Sequence, residues 1–216
     1  MTTRAHLGEP GPELEDLGLS AELLNKILAR TVADVRGCTD LDAPAMAGFM
    51  FWSRCNRYLA EELIPMGWKH TQRDSILRVI HPSMEFAVTA LSGAGGVGDR
   101  DALVRSKNPK GPAMARLVEN NGQYAFFTPD EVRYGRQLEE MPTWCLLYKR
   151  GSKRNGLKSE LSLPVKMNGQ YVDEWLHRII WDLPELDDPG SDISLLDDPP
   201  SGDEGPEVMV QFLGGN

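Results

Sequence analysis

Three groups of residues in this 216-residue chain have types and spacings that could do chemistry. The first is Ser92–Gly98 (SGAGGVG), a glycine run behind a predicted strand, where a phosphate-cradling loop would lie. A dinucleotide fingerprint needs its helix to begin inside the glycines, and a P-loop needs Gly-Lys-Ser/Thr. Here the next helix signal comes more than ten residues later and Lys110-Gly111-Pro112 closes the stretch, so a flexible loop competes with nucleotide binding. The second group is acidic. Glu85 and Glu160, each on a predicted strand, invite comparison with metal-dependent nucleases, yet Ser162 stands where such sites place lysine. The third is histidine. His6, His70, His81 and His177 lie far apart without a second ligand at helical spacing, so no metal site and no cofactor is expected. His177 beside Asp173 or Glu174 suits a surface ion pair, and Ser92 lacks the nucleophile-elbow pattern. No catalytic residue is assigned.

Binding has better support. Arg100, Arg105, Lys107 and Lys110 follow the glycines, and Lys149, Arg150, Lys153, Arg154 and Lys158 flank a predicted hairpin turn. Guanidinium and ammonium groups at this density can neutralise phosphates, although charged turns are also ordinary solvated surface. Gln123-Tyr124-Ala125-Phe126-Phe127 forms a polar rim residue followed by apolar anchors. This segment resembles the pentapeptide by which bacterial replication and repair proteins bind the sliding clamp, with Tyr124 and Phe126 where that family usually has Leu. The resemblance implies a protein partner, the clamp being the candidate, engaged through Gln123, Tyr124, Phe126 and Phe127. A buried aromatic edge strand is the alternative.

Charge is distributed unevenly. Ten acids and no Lys or Arg lie beyond Arg178; without those ten, the remaining 22 acids face 23 bases. The net charge of −9 therefore belongs to residues 182–216, whose composition predicts a disordered acidic tail. Such a tail serves solubility, or it competes with an acidic partner for the basic loops. Cys38, Cys55 and Cys145 are an odd number at unrelated spacings, which predicts reduced thiols, a cytoplasmic location and no disulfide frame. No apolar run is long enough to span a membrane.

The elements that must position these groups follow from periodicity. Residues 1–17 are polar and rich in Pro and Gly, predicting a loose arm before a single domain over 18–181. Ser20 caps a helix carrying Leu23, Leu24, Ile27, Leu28, Thr31, Val32 and Val35. Asp42 caps a second, with Pro44 in its first turn, Met46, Phe49, Met50, Trp52, Leu59 and Leu63 along it, and Pro65 beyond its end. Ser75–His81 and Glu85–Leu91 form one predicted hairpin; Thr143–Lys149 and Leu157–Val165 form another, with Leu157, Leu161 and Leu163 inward and Glu160 toward water. A helix over about Pro112 to Asn120 would end at Gly122, and Tyr171–Trp181 fits a helix or a strand. The sum is an α+β domain: two N-terminal helices on an antiparallel sheet of hairpins, plus one further helix.

Stretches such as His81-Pro82-Ser83, Lys107–Gly111 and Ser159–Pro164 resemble uncharacterised proteins of actinobacteria and their mobile elements. That resemblance implies a role around replication, repair or phage–host conflict, and no activity. The expectation is a non-catalytic adaptor in DNA metabolism. The alternatives are an enzyme on a phosphorylated or nucleic-acid substrate using Ser92–Lys110, and an inhibitor acting through the acidic tail.

Overall fold

The computed structural model describes residues 10–124, 141–151, 156–184 and 186. It is an α+β fold in which one seven-stranded sheet is covered on both faces. In chain order the helices are α1 (Pro10–Asp16), α2 (Ala21–Val35), α3 (Met46–Leu63) and α4 (Pro112–Tyr124). The strands are β1 (Lys69–Thr71), β2 (Arg78–Ile80), β3 (Ala87–Gly95), β4 (Val104–Ser106), β5 (Thr143–Lys149), β6 (Lys158–Asn168) and β7 (Tyr171–Ile179). Their lateral order is β1-β2-β3-β5-β6-β7, with β4 paired to the far end of β3.

The apolar periodicity of α2 does what the sequence predicts, whereas the predicted stripe of α3 holds only at Leu59 and Leu63: Met46 and Phe49 are exposed, Met50 and Trp52 are half-buried, and Phe51 and Cys55 face the core instead. Ser20 Oγ accepts from the Leu23 amide at 3.1 Å, and Leu24, Ile27, Leu28, Thr31, Val32 and Val35 are buried. Together with Phe51, Cys55, Leu59 and Leu63 of α3 they cover Val88, Ala90, Leu146, Tyr148, Leu161 and Ile179 on one face of the sheet. Asn56 pins α3 to β3: its carboxamide accepts from the Ala90 amide at 3.0 Å and donates to the Ala90 carbonyl at 3.4 Å.

The other face is closed by α4 and β4. Met114, Leu117 and Val118 pack with Val97 and Val104 against Leu91, Cys145, Leu147, Val172 and Trp175. Asn121 is the polar counterpart of Asn56. It donates to the carbonyls of Thr143 (3.0 Å) and Pro164 (2.8 Å) and accepts from the Thr143 amide (2.9 Å), closing a gap in the ladder.

Several expectations are corrected. Residues 10–17 are no loose arm: α1 buries Leu14 completely, and Leu17 and Leu19 join the core behind it. Two or three well-placed leucines outweigh a polar composition. Asp42 does not cap α3, which starts later at Met46; its carboxylate accepts from the Thr39 amide at 2.7 Å and closes a local turn. The sheet is mixed rather than wholly antiparallel. β3 and β5 run parallel, from Ala87↔Thr143 to Ser92↔Tyr148, and α4 lies in the crossover that a parallel pair requires. Gly122 does not end α4. A Cβ there would stand 2.8 Å from the Val165 carbonyl, so the glycine permits close approach of helix to strand, and the helix runs on to Tyr124. Tyr171–Ile179 resolves as a strand. Glu160 does not face water: with helices above and below, β6 has no wet face along Ser159–Pro164.

Candidate binding surface

Glu160 is the most constrained ionisable group near the glycine loop. It is fully buried, and both carboxylate oxygens carry two donors. Oε1 accepts from Ser162 Oγ (2.7 Å) and Arg178 Nε (2.8 Å); Oε2 accepts from Arg178 Nη2 (2.7 Å) and the Gly98 amide (2.8 Å). An ionised carboxylate has about four acceptor positions, and all are used. Arg178, also buried, extends from this pair to the carbonyls of Ala102 (3.1 Å) and Asp99 (2.9 Å). The pair is a clamp on residues 96–102.

The glycines are explained by the same packing. A Cβ on Gly95 would lie 2.3 Å from the Leu103 carbonyl, and one on Gly96 would lie 2.0 Å from the Ala102 side chain. Gly95 also adopts φ +81°, which disfavours any L side chain. The space that a phosphate would need is therefore filled by the loop's own return strand. Glu85 does not join Glu160 either. It accepts from Ser83 Oγ at 3.0 Å in the β2–β3 turn, while Glu160 stands opposite Leu147, which pairs with Leu91. Glu85 stands six positions before Leu91 in the chain, about 20 Å at an extended rise of about 3.3 Å per residue.

Lys149 and Lys158 are direct partners at the turn end of the β5–β6 hairpin. Like charges placed opposite one another destabilise a strand pair. Both side chains are exposed. Lys149 Nζ donates to the Gly95 carbonyl at 2.6 Å, and Lys158 Cβ lies 3.5 Å from where a Gly98 Cβ would stand. Clamped by Arg178, the loop brings Arg100 to the same end, exposed between Asp99 and Asp101. Arg150 lies on the opposite face, its guanidinium 5.7 Å from the Phe51 ring.

The remaining cations differ in their pairing. On the α2–α3 face Lys26, Arg30, Arg54 and Arg57 are matched with Glu62, Glu61 and Asp34 at 2.6–3.0 Å. Arg116 pairs with Asp74 and Lys166 with Glu174. Among the described residues, Arg100, Arg105, Lys149 and Lys158 have no carboxylate within 4.0 Å.

Not all of the predicted contact residues meet. Arg105 is exposed but rests on the Tyr171 ring at 4.8 Å, at the other end of β6. Lys107 is half-buried, its amide bonded to the Ser92 carbonyl. Lys110 is buried, its amide bonded to Gln170 and its charge acting on the Cys145 thiol. Its long aliphatic stem lets a lysine pack inside, which a charge count cannot anticipate. Lys153 and Arg154 lie outside the described residues. In the aromatic segment, Gln123 is exposed in the last turn of α4 and Tyr124 is that helix's last residue; Phe126 and Phe127 lie outside the described residues. The Glu160–Arg178 clamp was missed. Its one sequence signal is Glu160 flanked by Ser159, Leu161, Ser162 and Leu163, a run with no other long polar side chain.

Burial also sets the environment of His81 in the β2–β3 turn. His81 is stacked on Phe86 (4.7 Å) and edge-on to Trp68 (4.8 Å). Burial depresses its pKa, with Glu85 acting in opposition. The Ser83 amide donates to His81 Nδ1 at 3.1 Å, which makes the imidazole a turn-forming group. Among the described residues no three His, Cys, Asp or Glu side chains gather as a metal site, and no helix is long and apolar enough to cross a membrane. No protein-family model, curated protein or solved structure matches the chain, so the functional reading rests on this geometry.

Proposed function

We propose that the chain is a non-catalytic binding protein whose β5–β6 hairpin end meets the phosphate backbone of a nucleic acid. The observation that carries this reading is the Lys149↔Lys158 pair: two exposed like charges opposite one another, beside Arg100, with no carboxylate within 4.0 Å among the described residues. A like-charged cross-strand pair is repulsive, and a bound polyanion relieves that repulsion. Lys153 and Arg154 belong to the same turn. Binding of this kind reads charge and not sequence, because no helix of a groove-reading motif accompanies it. Catalysis has less to stand on, since Glu160 is saturated and Glu85 is remote from it.

The test is fluorescence anisotropy with labelled single- and double-stranded DNA across a salt series. Each phosphate contact contributes about −0.9 to the slope of log K on log salt for duplex, or about −0.7 for single strands. Lys149→Glu/Lys158→Glu should weaken binding and flatten the slope by roughly two contacts. Undetectable binding at 50 mM salt by the unaltered chain would refute the proposal. A protein partner engaged through Gln123–Phe127 is the second reading, favoured by the exposure of Gln123. An extended peptide there requires the last turn of α4 to unwind. Phe126→Ala/Phe127→Ala should then abolish capture of the sliding clamp while leaving DNA binding intact.

A further inference from the structure

The stretch from Asp99 to Ser106 runs alongside β7, and its hydrogen bonds give the path in order. The carbonyls of Asp99 and Ala102 accept from Arg178 at 2.9 and 3.1 Å, and the Val104 carbonyl accepts from Trp175 Nε1 at 2.9 Å. Ser106 Oγ then accepts from the Val172 amide at 3.1 Å. On its other side β4 pairs with β3, and the Leu103 carbonyl accepts from the Gly96 amide at 3.0 Å. A strand held along both edges sends its side chains alternately inward and outward. Val104 and Ser106 are buried, so Leu103 and Arg105 point outward, Leu103 with 85% of its surface exposed.

The edge of β7 adds to this outer surface. Leu163 pairs with His177 and Pro164 with Trp175, so Leu176 is an unpaired bulge residue, and it is exposed. A bulge gives up ladder pairing and re-aims a side chain. Leu176 stands between Trp175 and Arg178, the two residues that hold the carbonyls on either side of Leu103, which sets both leucines at one level of the seam. Further along, the Arg105 guanidinium lies 4.8 Å from the centre of the half-buried Tyr171 ring. At the opposite end Arg100 is exposed beside Lys158 and Lys149, at most about 18 Å of chain from Arg105. Cations with no carboxylate within 4.0 Å among the described residues thus stand at both ends of a stripe whose middle is apolar. A duplex turns its bases inward and shows such a surface chiefly phosphate and sugar. A single strand presents phosphates and base faces together, and bases stack on aromatic rings, guanidinium planes and apolar side chains.

We infer that the β4–β7 seam is a track for a single-stranded nucleic acid, its phosphates meeting Lys149, Lys158 and Arg100 and its bases meeting Leu103, Leu176 and the guanidinium of Arg105. This rests on the proposed role of the hairpin end as a phosphate contact and adds to it a strand class and a path. Asp99 and Asp101 are exposed acids on that path and hold the affinity down. Asp101→Asn should therefore tighten binding about threefold at low salt. The acidic tail expected from the sequence lies, beyond Leu186, outside the described residues.

The experiment uses the full chain and labelled oligo(dT), oligo(rU) and a duplex, each about 15 nucleotides long, in fluorescence anisotropy at about 50 mM salt. Either single strand should bind roughly tenfold more tightly than the duplex, and the tighter of the two identifies the sugar the track prefers. Leu103→Ser/Leu176→Ser should weaken single-strand binding roughly tenfold and leave its salt slope unchanged, because no phosphate contact is lost. Both leucines are exposed, so this variant keeps its fold, which far-UV circular dichroism checks. Arg105→Ala should weaken binding by a similar factor. A strand carrying 5-iodouracil should photo-cross-link at Tyr171; cross-links confined to Phe49 of α3 put the strand on the other face and overturn the track. Equal affinity for strand and duplex, lost in Lys149→Glu/Lys158→Glu but untouched by the leucine and Arg105 variants, overturns the track and leaves the phosphate contact standing. No binding of any probe by the unaltered chain overturns both. A dimer in sedimentation without nucleic acid, dispersed by Leu103→Asp, assigns the stripe to a second copy of the chain and overturns the track as well.

Discussion

Glu160→Ala is the perturbation with the most to say about this fold. It deletes a fully buried carboxylate that holds Arg178, the Gly98 amide and the Ser162 hydroxyl. Removing one member of a buried ion pair leaves the other charge uncompensated and costs about 3–5 kcal/mol. Arg178 retains its carbonyl acceptors at Ala102 and Asp99, so the lower half of that range applies, about 3–4 kcal/mol. With a urea dependence of about 2 kcal/mol per molar, the unfolding midpoint falls by roughly 1.5–2 M. Arg178→Met should cost a similar amount. The double variant should cost about 2–3 kcal/mol less than the sum of the two, because the second substitution removes a charge already stranded. The assay is urea denaturation of all four proteins, followed by far-UV circular dichroism and tryptophan fluorescence. A loss below about 1 kcal/mol for Glu160→Ala, or additive single effects, would refute the clamp. A fully folded Glu160→Gln protein that has lost an activity would instead point to chemistry at Glu160.

Other outcomes follow from the same structure. Gly122→Ala should destabilise by about 1–3 kcal/mol, because its Cβ meets the Val165 carbonyl at 2.8 Å and α4 must lift, whereas Gly11→Ala meets nothing and should be near neutral; thermal melts compare them. Burial pushes the Cys55 and Cys145 thiols up to about 12, so at pH 8 a chromogenic disulfide should titrate only half-buried Cys38 in the native protein and all three thiols in denaturant. For these raised groups, stability present below an unfolded pKa near 9.0 should decline as pH rises toward 12. His81 shifts the other way: its folded pKa lies below the ordinary 6.5, so its contribution is present above that pH and lost as pH falls through the folded value. His81→Gln should flatten the dependence of the melting temperature between pH 7 and pH 5.

Periodicity made the covering helix pair legible. Six of the seven predicted inward positions of α2 are buried, with Leu23 half-buried, the Ser20 cap lies where the pattern puts it, and β5 matches its predicted run of Thr143–Lys149 residue for residue. Local pattern failed where the deciding partner is distant in sequence. Gly122 carries a stop signal until Val165 is known to lie against it, and Glu160 looks solvent-facing until α4 and the 96–102 loop cover that face. The parallel β3–β5 pair is invisible for the same reason, since its register is fixed by a crossover and not by a turn. Lys107 and Lys110 were grouped with Arg100 by proximity in the chain; β4 carries them to the far end of the sheet.

The contrast between the two sets of cations connects fold to function. Across α2 and α3, Asp34, Glu61 and Glu62 sit where helical spacing and helix packing bring them within 3.0 Å of a base, and Glu61 and Glu62 are held below the usual carboxylate range by Arg57 and Lys26. Exposed pairs of this sort are screened by solvent and add little stability, so their regularity reflects charge balance more than strength. The hairpin end breaks that balance within one molecule. Lys149 and Lys158 oppose each other across a ladder, where a single Glu at either position would have given the same fold an attractive pair. Close by, the chain spends a buried Glu160 and Arg178 on fixing the loop that carries Arg100, which orders a charge that solvation alone would leave loose. Unbalanced charge on a braced scaffold is what a binding surface for a polyanion requires, since the contacts then form without ordering the protein at the moment of association.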